Sequence, residues 1–235
     1  MALLTSRPIS KTLRTEVKEI LHRAIVSGQL QPGDHLKETE IAEQLSVSRS
    51  PVREAFRQLE QDGLLTSYPN QGTFVKSYDA KEIEEIFTLR AVLENLAFEL
   101  IIRDGKLKEA DWARLDWYVE QQHKAIEAQS YHQLTELDMD FHEFFCRVSG
   151  SERLVAMWQS LRSQIQVLFY QRFKALELIP GTVDTDHAAI LDALGQGNID
   201  TLKKLNRRIN ARVARECIDV VVFGVKNGEA DFSTA

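Results

Sequence analysis

Cysteine, long apolar runs and internal repeats are scarce or missing in this 235-residue chain, and each shortage excludes a class of protein. The two cysteines, Cys146 and Cys217, lie far apart with no CxxC pair and no secretory context, so they read as reduced structural thiols. No stretch approaches the roughly 18 apolar residues of a membrane span. The start Met1-Ala2-Leu3-Leu4-Thr5-Ser6-Arg7-Pro8 also lacks the basic-then-apolar order of a secretory signal. A cytoplasmic protein with no membrane partner is expected. Low-complexity tracts and sustained heptads are absent too, which sets aside arrays and coiled coils.

What is present is enough apolar residue, 43%, to bury a core, over a length that suits two modest domains. The net charge is −6, which looks wrong for a nucleic-acid binder until it is divided by region. Residues 1–77 carry ten Lys/Arg against nine Asp/Glu, and the remainder carries nineteen against twenty-six. The acidity therefore sits in the C-terminal two thirds.

The most informative stretch runs from Glu40 to Phe56. Ile41, Ala42 and Leu45 make one apolar helical face, Val47 fills a turn, and Val52, Ala55, Phe56 and Leu59 make a second face. Two such helices must pack on each other. Ser48 suits an N-cap, Pro51 suits a first turn, and Ser48, Arg49, Ser50 and Arg53 crowd the helix end that favours phosphate. That is the construction of a recognition helix in a helix-turn-helix. Arg49, Arg53 and Arg57 follow at i, i+4, i+8 and form a basic stripe on one helix.

Around this pair, Leu13, Val17, Ile20, Leu21, Ala24 and Ile25 predict a first helix over 11–27, stopped at Gly28. Residues 30–36 read as a turn, and 37–45 as helix two. Gly63 closes helix three, and residues 64–68 and 73–75 around Pro69-Asn70-Gln71-Gly72 read as a β-hairpin. The fold class is mainly α: an N-terminal winged helix-turn-helix of three helices plus a hairpin over 1–77, then an all-α bundle of about six helices over 78–225. The six are placed at about 80–103, 108–129, 131–149, 151–177, 183–196 and 198–224, with breaks at Asp104-Gly105, Ser149-Gly150-Ser151, Pro180-Gly181 and Gly195-Gln196-Gly197-Asn198. Residues 226–235 are expected to fray.

The series Gly28-Gln29-Leu30-Gln31-Pro32-Gly33, Leu36, Glu40-Ile41-Ala42, Ser48-Arg49-Ser50-Pro51-Val52-Arg53-Glu54-Ala55, Leu59, Asp62-Gly63-Leu64-Leu65 and Gly72-Thr73-Phe74-Val75 resembles GntR-family transcription regulators. Specifically, the chain is similar to the FadR type, whose C-terminal half is a helical FCD ligand-binding domain. The resemblance covers nearly the whole chain. It implies that the start of helix three enters the major groove while the hairpin tip, at Gly72, approaches the adjacent minor groove. Arg49 and Arg53 are then the base readers, since each can fork onto guanine O6 and N7 for about 1–3 kcal/mol of discrimination; Ser48 and Ser50 suit phosphate or mixed contacts. Arg57 is divided evenly between DNA and a solvated pair with Glu54 or Glu60. Lys37 opens helix two within reach of phosphate, and Thr39 stands where some relatives carry an arginine contact. One recognition helix per chain predicts a homodimer on a two-fold related double-stranded operator. The resemblance places the dimer interface in the helical domain.

Asp138 and His142 stand four residues apart and so project from one helical face. Asp138 interrupts the apolar series Leu134, Leu137, Phe141, Phe145, where a carboxylate needs a partner. The pair resembles the FCD pattern Asp138-x-x-Phe141-His142, which implies a third ligand at Asp186-His187 and a bound divalent metal: zinc, manganese, nickel or iron. Family members usually add a histidine on the last helix, and an ungapped count puts that place at Ile209, which cannot ligate. Asn210 would serve only with a one-residue shift. Arg90, in Leu89-Arg90-x-x-Leu93-Glu94, points into the effector cavity in the FCD pattern and suits a carboxylate, or else pairs internally with Glu94. Arg162, Tyr170 and Arg172 are further candidate effector contacts, while Trp112, Trp117, Trp158, Phe169 and Phe173 read as packing.

The expectation is a non-enzymatic regulator, a repressor whose operator affinity responds to a small organic acid. Alternatives are a direct metal sensor, an acyl-CoA-type sensor, which the retained Asp138, His142 and His187 oppose, and a metal-dependent hydrolase carrying a DNA-binding module, which lacks a general base.

Overall fold

A computed structural model describes residues 11–177 and 183–225. The chain divides into two compact units, the first ending at Ser77 and the second beginning at Tyr78. The expected break at Pro180-Gly181 and the tail at 226–235 lie outside the described residues.

In the first unit, α1 (Lys11–Val26), α2 (Glu38–Gln44) and α3 (Arg49–Gln61) precede β2 (Leu65–Tyr68) and β3 (Gly72–Val75), as the winged-helix pattern predicts. The core forms where Val17, Leu21 and Ile25 of α1 meet Val52, Phe56 and Leu59 of α3, all buried. Lys18 pairs with Asp62 at 2.7 Å beside them. Residues 30–36, read from sequence as a turn, also hold a short strand, β1 (His35–Leu36). It pairs antiparallel with β3, giving the order β1-β3-β2. Two residues carry too little periodicity to announce a strand.

The turn between α2 and α3 is set by backbone bonding. Ser46 adopts a left-handed φ of 53°, its N–H reaches Glu43 O at 3.1 Å, and the Val47 N–H reaches Ala42 O at 3.0 Å. This pair of bonds closes the helix end and turns the chain into α3. Ser48 is the N-cap residue of α3, but its hydroxyl makes no capping bond. Lys37 likewise precedes α2, which begins at Glu38, one residue later than the sequence suggested.

The second unit is the expected six-helix bundle: α4 (Ala80–Asp104), α5 (Glu109–Glu127), α6 (Tyr131–Val148), α7 (Glu152–Leu176), α8 (Val183–Gly195) and α9 (Ile199–Val221). Trp158, Phe87, Phe98, Phe141, Phe145 and Phe173 fill its centre. α4 packs chiefly on α9, and α6 lies between α5 and α7. Helix α4 starts with a reciprocal cap: the Glu82 N–H donates to Asp79 Oδ1 at 2.8 Å, and the Asp79 N–H donates to Glu82 Oε2 at 3.2 Å. No described helix is long and apolar enough to cross a membrane.

Because Asp79 satisfies a donor that α4 otherwise leaves open, Asp79→Ala should destabilise the helical unit by about 1 kcal/mol, read as a lowered urea midpoint at unchanged m-value.

Candidate functional site

The start of α3 is an exposed polar end: Ser48, Arg49, Ser50 and Arg53 all face solvent. Arg49 and Arg53 share one carboxylate from the neighbouring helix. Arg53 Nε and an Arg53 terminal nitrogen donate to the two Glu38 oxygens at 2.8 Å each, and Arg49 donates to Glu38 Oε2 at 3.1 Å. These pairs hold Glu38 below the usual carboxylate range, with Arg53 the larger influence. Arg57 pairs with Glu54 at 2.9 Å, and Lys37 with Glu40 at 2.6 Å. Gly72 opens β3 with a φ of 107°, and a Cβ built there would lie 2.4 Å from the His35 ring, so glycine is demanded by the wing's own backbone. Asn70, with φ 61°, makes the turn beside it.

In the helical unit, Asp138, His142 and His187 converge, buried, with their ligand atoms within 4.8 Å of one another. His142 Nε2 lies 3.0 Å from His187 Nε2, and Asp138 Oδ1 lies 3.3 Å from His187 Nε2. The outer nitrogens decide the tautomers. His187 Nδ1 faces the Gln122 amide oxygen at 2.6 Å, and in its Nδ1–H tautomer it donates there. His142 Nδ1 lies 2.9 Å from Glu94 Oε1; the angle there falls short of a good hydrogen bond, but a carboxylate can only accept, so this nitrogen also carries the hydrogen. Burial, then the nearby Arg90, lowers the His142 pKa and keeps the ring neutral. Both inward nitrogens therefore present lone pairs, and a carboxylate oxygen joins them. Three lone pairs aimed at one point repel unless a cation lies between them. Donors bound about 2.1 Å from a common ion sit roughly 3.0–3.4 Å apart at right-angled or tetrahedral geometry, which two of the spacings match, while the third, His142 Nε2 to Asp138 Oδ2, is wider at 4.0 Å. The donor set fits a divalent metal.

Arg90 is buried behind this cluster. It donates to Glu94 Oε1 at 2.7 Å and to Asp138 Oδ2 at 3.2 Å, and its guanidinium lies 4.8 Å from the Phe169 ring centre. Burial alone would raise the Asp138 carboxyl, but the Arg90 guanidinium beside it overcomes this and holds the pKa at about 2. Burial is likewise outweighed at Glu94, where His142 and Arg90 lower the carboxyl pKa. Arg90 thus lines the cavity and at the same time pairs with Glu94.

The cavity is lined by Arg90, Asp138, His142, Phe169, Arg172 and His187, and by Ile209 and Asn210 on the far side. It encloses about 20 Å³, room for one ion or water. Two expected contacts are elsewhere. Arg162 is drawn into a cluster with Glu136, Asp140 and Glu143 at 3.2, 2.9 and 2.8 Å, and half-buried Tyr170 is not on the cavity wall. Arg172 does line it, with its guanidinium paired to Glu216. Phe169, read from sequence as packing, contributes wall as well. Ile209 faces the cavity as the count placed it, yet Asn210 reaches it too with no shift of register. The Asn210 amide nitrogen is turned to Glu94 at 3.3 Å and to Asn206 at 3.0 Å, which leaves its buried Oδ1 without a partner. Gln122, on α5, is the orienting residue the sequence did not announce.

A winged helix with an arginine stripe on its recognition helix, followed by an all-helical unit, defines a DNA-binding transcription regulator. The chain belongs to the GntR family: the profile for bacterial regulatory proteins of the gntR family matches residues 13–75, and the FCD domain matches residues 85–212. It is 31% identical over 188 residues to YdhC of Bacillus subtilis (strain 168), an uncharacterized HTH-type transcriptional regulator, covering 78% of this chain and 81% of that one. The gluconate operon transcriptional repressor of the same organism is 30% identical over 143 residues, covering 60% of this chain and 57% of that one. Among solved structures, a GntR transcriptional regulator from Rhodococcus sp. RHA1 aligns with a TM-score of 0.73 at 26% identity, covering 88% of this chain and 98% of that one. These families and relatives are transcription regulators and not enzymes.

Removing the one cation between two buried carboxylates should be costly. Arg90→Met is expected to destabilise the helical unit by about 3–5 kcal/mol in urea denaturation, because Glu94 and Asp138 lose their shared partner.

Proposed function

We propose that this chain is a homodimeric repressor whose operator affinity is changed by a small organic acid bound with a divalent metal in the helical unit. The observation that carries the reading is the meeting of three lone-pair donors, Asp138, His142 and His187, with two buried arginines on one cavity. The three donors would hold zinc, manganese, nickel or iron, which supplies a cation for an effector's carboxylate. Arg90 and Arg172 are the groups suited to fork onto the same carboxylate. In the conformation described, the space takes only an ion or water, so the acid enters by displacing wall side chains. An acyl chain would find no room in the space of about 20 Å³.

DNA contacts are assigned to Arg49 and Arg53 for base edges, and to Lys37, Ser48, Ser50 and Gly72 for backbone and minor groove. Dimerisation is assigned to α4, where Leu89, Val92 and Leu96 are 51%, 59% and 45% exposed at helical spacing, an apolar stripe that a monomer would leave in water. An effector that favours one arrangement of the two winged helices by about 1–3 kcal/mol would change operator affinity 5- to 150-fold. The working place of such a protein is the cytoplasm.

Gel shifts with the DNA upstream of its own gene test the reading. The wild type should bind, and the Arg49→Ala/Arg53→Ala double variant should lose at least about 30-fold, at the low end of two forked base contacts. Binding that the double variant leaves unchanged would overturn the assignment. Elemental analysis should find about one divalent metal per chain in the wild type and none in Asp138→Ala; equal metal in both would remove the metal from the proposal.

A further inference from the structure

The basic side chains along the DNA-reading surface are already paired in the protein alone, but one of these pairings differs in kind. Arg57 with Glu54 and Lys37 with Glu40 are local pairs three residues apart. Glu38 instead reaches across from α2 to α3 and takes both candidate base readers at once. Its bond to Arg53 is a two-point fork, with Nε on one oxygen and a terminal nitrogen on the other. That is the geometry with which a guanidinium meets guanine O6 and N7. Glu38 is also the more sheltered partner: its side chain is 24% exposed, against 59% for Arg49 and 49% for Arg53.

We infer that Glu38 is the positioning and selectivity residue of this surface, an internal substitute for the acceptors of DNA that holds Arg49 and Arg53 ready and must be displaced when they read bases. The inference rests on the assignment of those arginines to base contacts. Its physical basis is a ranking of partners. An ion pair between exposed groups is weak, so a correctly placed guanine, worth about five- to 150-fold in affinity, can draw a guanidinium away from it. A backbone phosphate can also accept a guanidinium fork, but it does so in every sequence alike. It also brings its own charge towards the Glu38 carboxylate, which repels it. Matched sequence therefore displaces Glu38 readily and unmatched sequence does not, so the carboxylate suppresses non-specific binding more than specific binding. Pre-arrangement acts in the same direction, because side chains ordered before contact lose less freedom on binding.

The test uses the full-length protein, a duplex of its upstream DNA and a scrambled duplex of equal composition, with fluorescence anisotropy over a series of salt concentrations. Glu38→Gln keeps length and one acceptor oxygen but loses the charge and the second oxygen. Its affinity for the scrambled duplex should rise about three- to ten-fold, and the ratio of specific to non-specific affinity should fall about ten-fold. Selection from a randomised duplex pool should relax at the same base pairs that Arg53→Ala relaxes, a readout that a merely structural residue would not move. Glu38→Asp retains the charge on a shorter stem, and should keep scrambled-duplex affinity low while base preference still weakens. An unchanged ratio in Glu38→Gln, or an equal gain on both duplexes, overturns the inference. So does a fall on both duplexes together with a lowered melting temperature. If the wild type itself shows no preference for its upstream duplex, the base-reading assignment fails and takes this inference with it; if the wild type prefers it and Glu38→Gln keeps the preference, this inference alone fails.

Discussion

A single buried guanidinium, Arg90, organises the helical unit. Two carboxylates that burial would otherwise drive to protonate stay charged because they share it: Glu94 one turn along α4, and Asp138 from α6. Each then carries out a second task. Glu94 accepts from Asn210 and lies 2.9 Å from His142 Nδ1, and Asp138 stands beside His187. Gln122 on α5 completes the set by fixing the other face of His187, while Phe169 on α7 lies under Arg90. Five helices besides α4 thus bring a side chain to one point. In a medium that solvates charge poorly, the charged members of such a group are stable only when they are paired. A histidine pair whose outer hydrogens are committed elsewhere can only offer lone pairs inward.

The same device, an arginine held by a carboxylate from a neighbouring element, recurs in the winged helix under opposite solvent conditions. Glu38 with Arg49 and Arg53 lies at the surface, where water weakens the pairing and makes it exchangeable. Arg90 with Glu94 and Asp138 is sealed, and there the pairing is structural. The difference is one of dielectric and not of residue type. Water leaves the surface pairing exchangeable, and burial makes the other part of the fold.

Much of this was legible along the chain because it depends on periodicity. The three helices, the hairpin and the six-helix bundle follow from apolar spacing and from Gly or capping residues at the breaks, and Asp138 announced itself as a carboxylate in an apolar series. The spacing of Asp138 and His142 needs only helical geometry. What escaped was contact between distant elements. β1 is two residues long and exists because β3 lies beside it. No sequence pattern marked Glu38, whose partners lie on the next helix. Arg162 and Tyr170 were plausible cavity residues on α7, but the rotation of that helix turns Arg162 to Glu136, Asp140 and Glu143 and brings Phe169 and Arg172 to the cavity instead. Rotation is set by packing against α6 and α9, which no single-helix pattern contains.

The sequence by itself determined the family, the division of labour between an arginine-bearing recognition helix and an acidic helical unit, and the identity of the three converging donors. These are local quantities: composition, spacing, turn chemistry and motif order. Tertiary structure alone decided the partners of those residues. It brought Asp138 to Arg90 beside the local partner Glu94, set Gln122 and Glu94 against the outer histidine nitrogens, put Ile209 and Asn210 together on the cavity wall, and laid Glu38 across Arg49 and Arg53. Partnership between groups on different helices, 11 to 116 residues apart, depends on how those helices rotate and dock, and that is settled by packing the core as a whole.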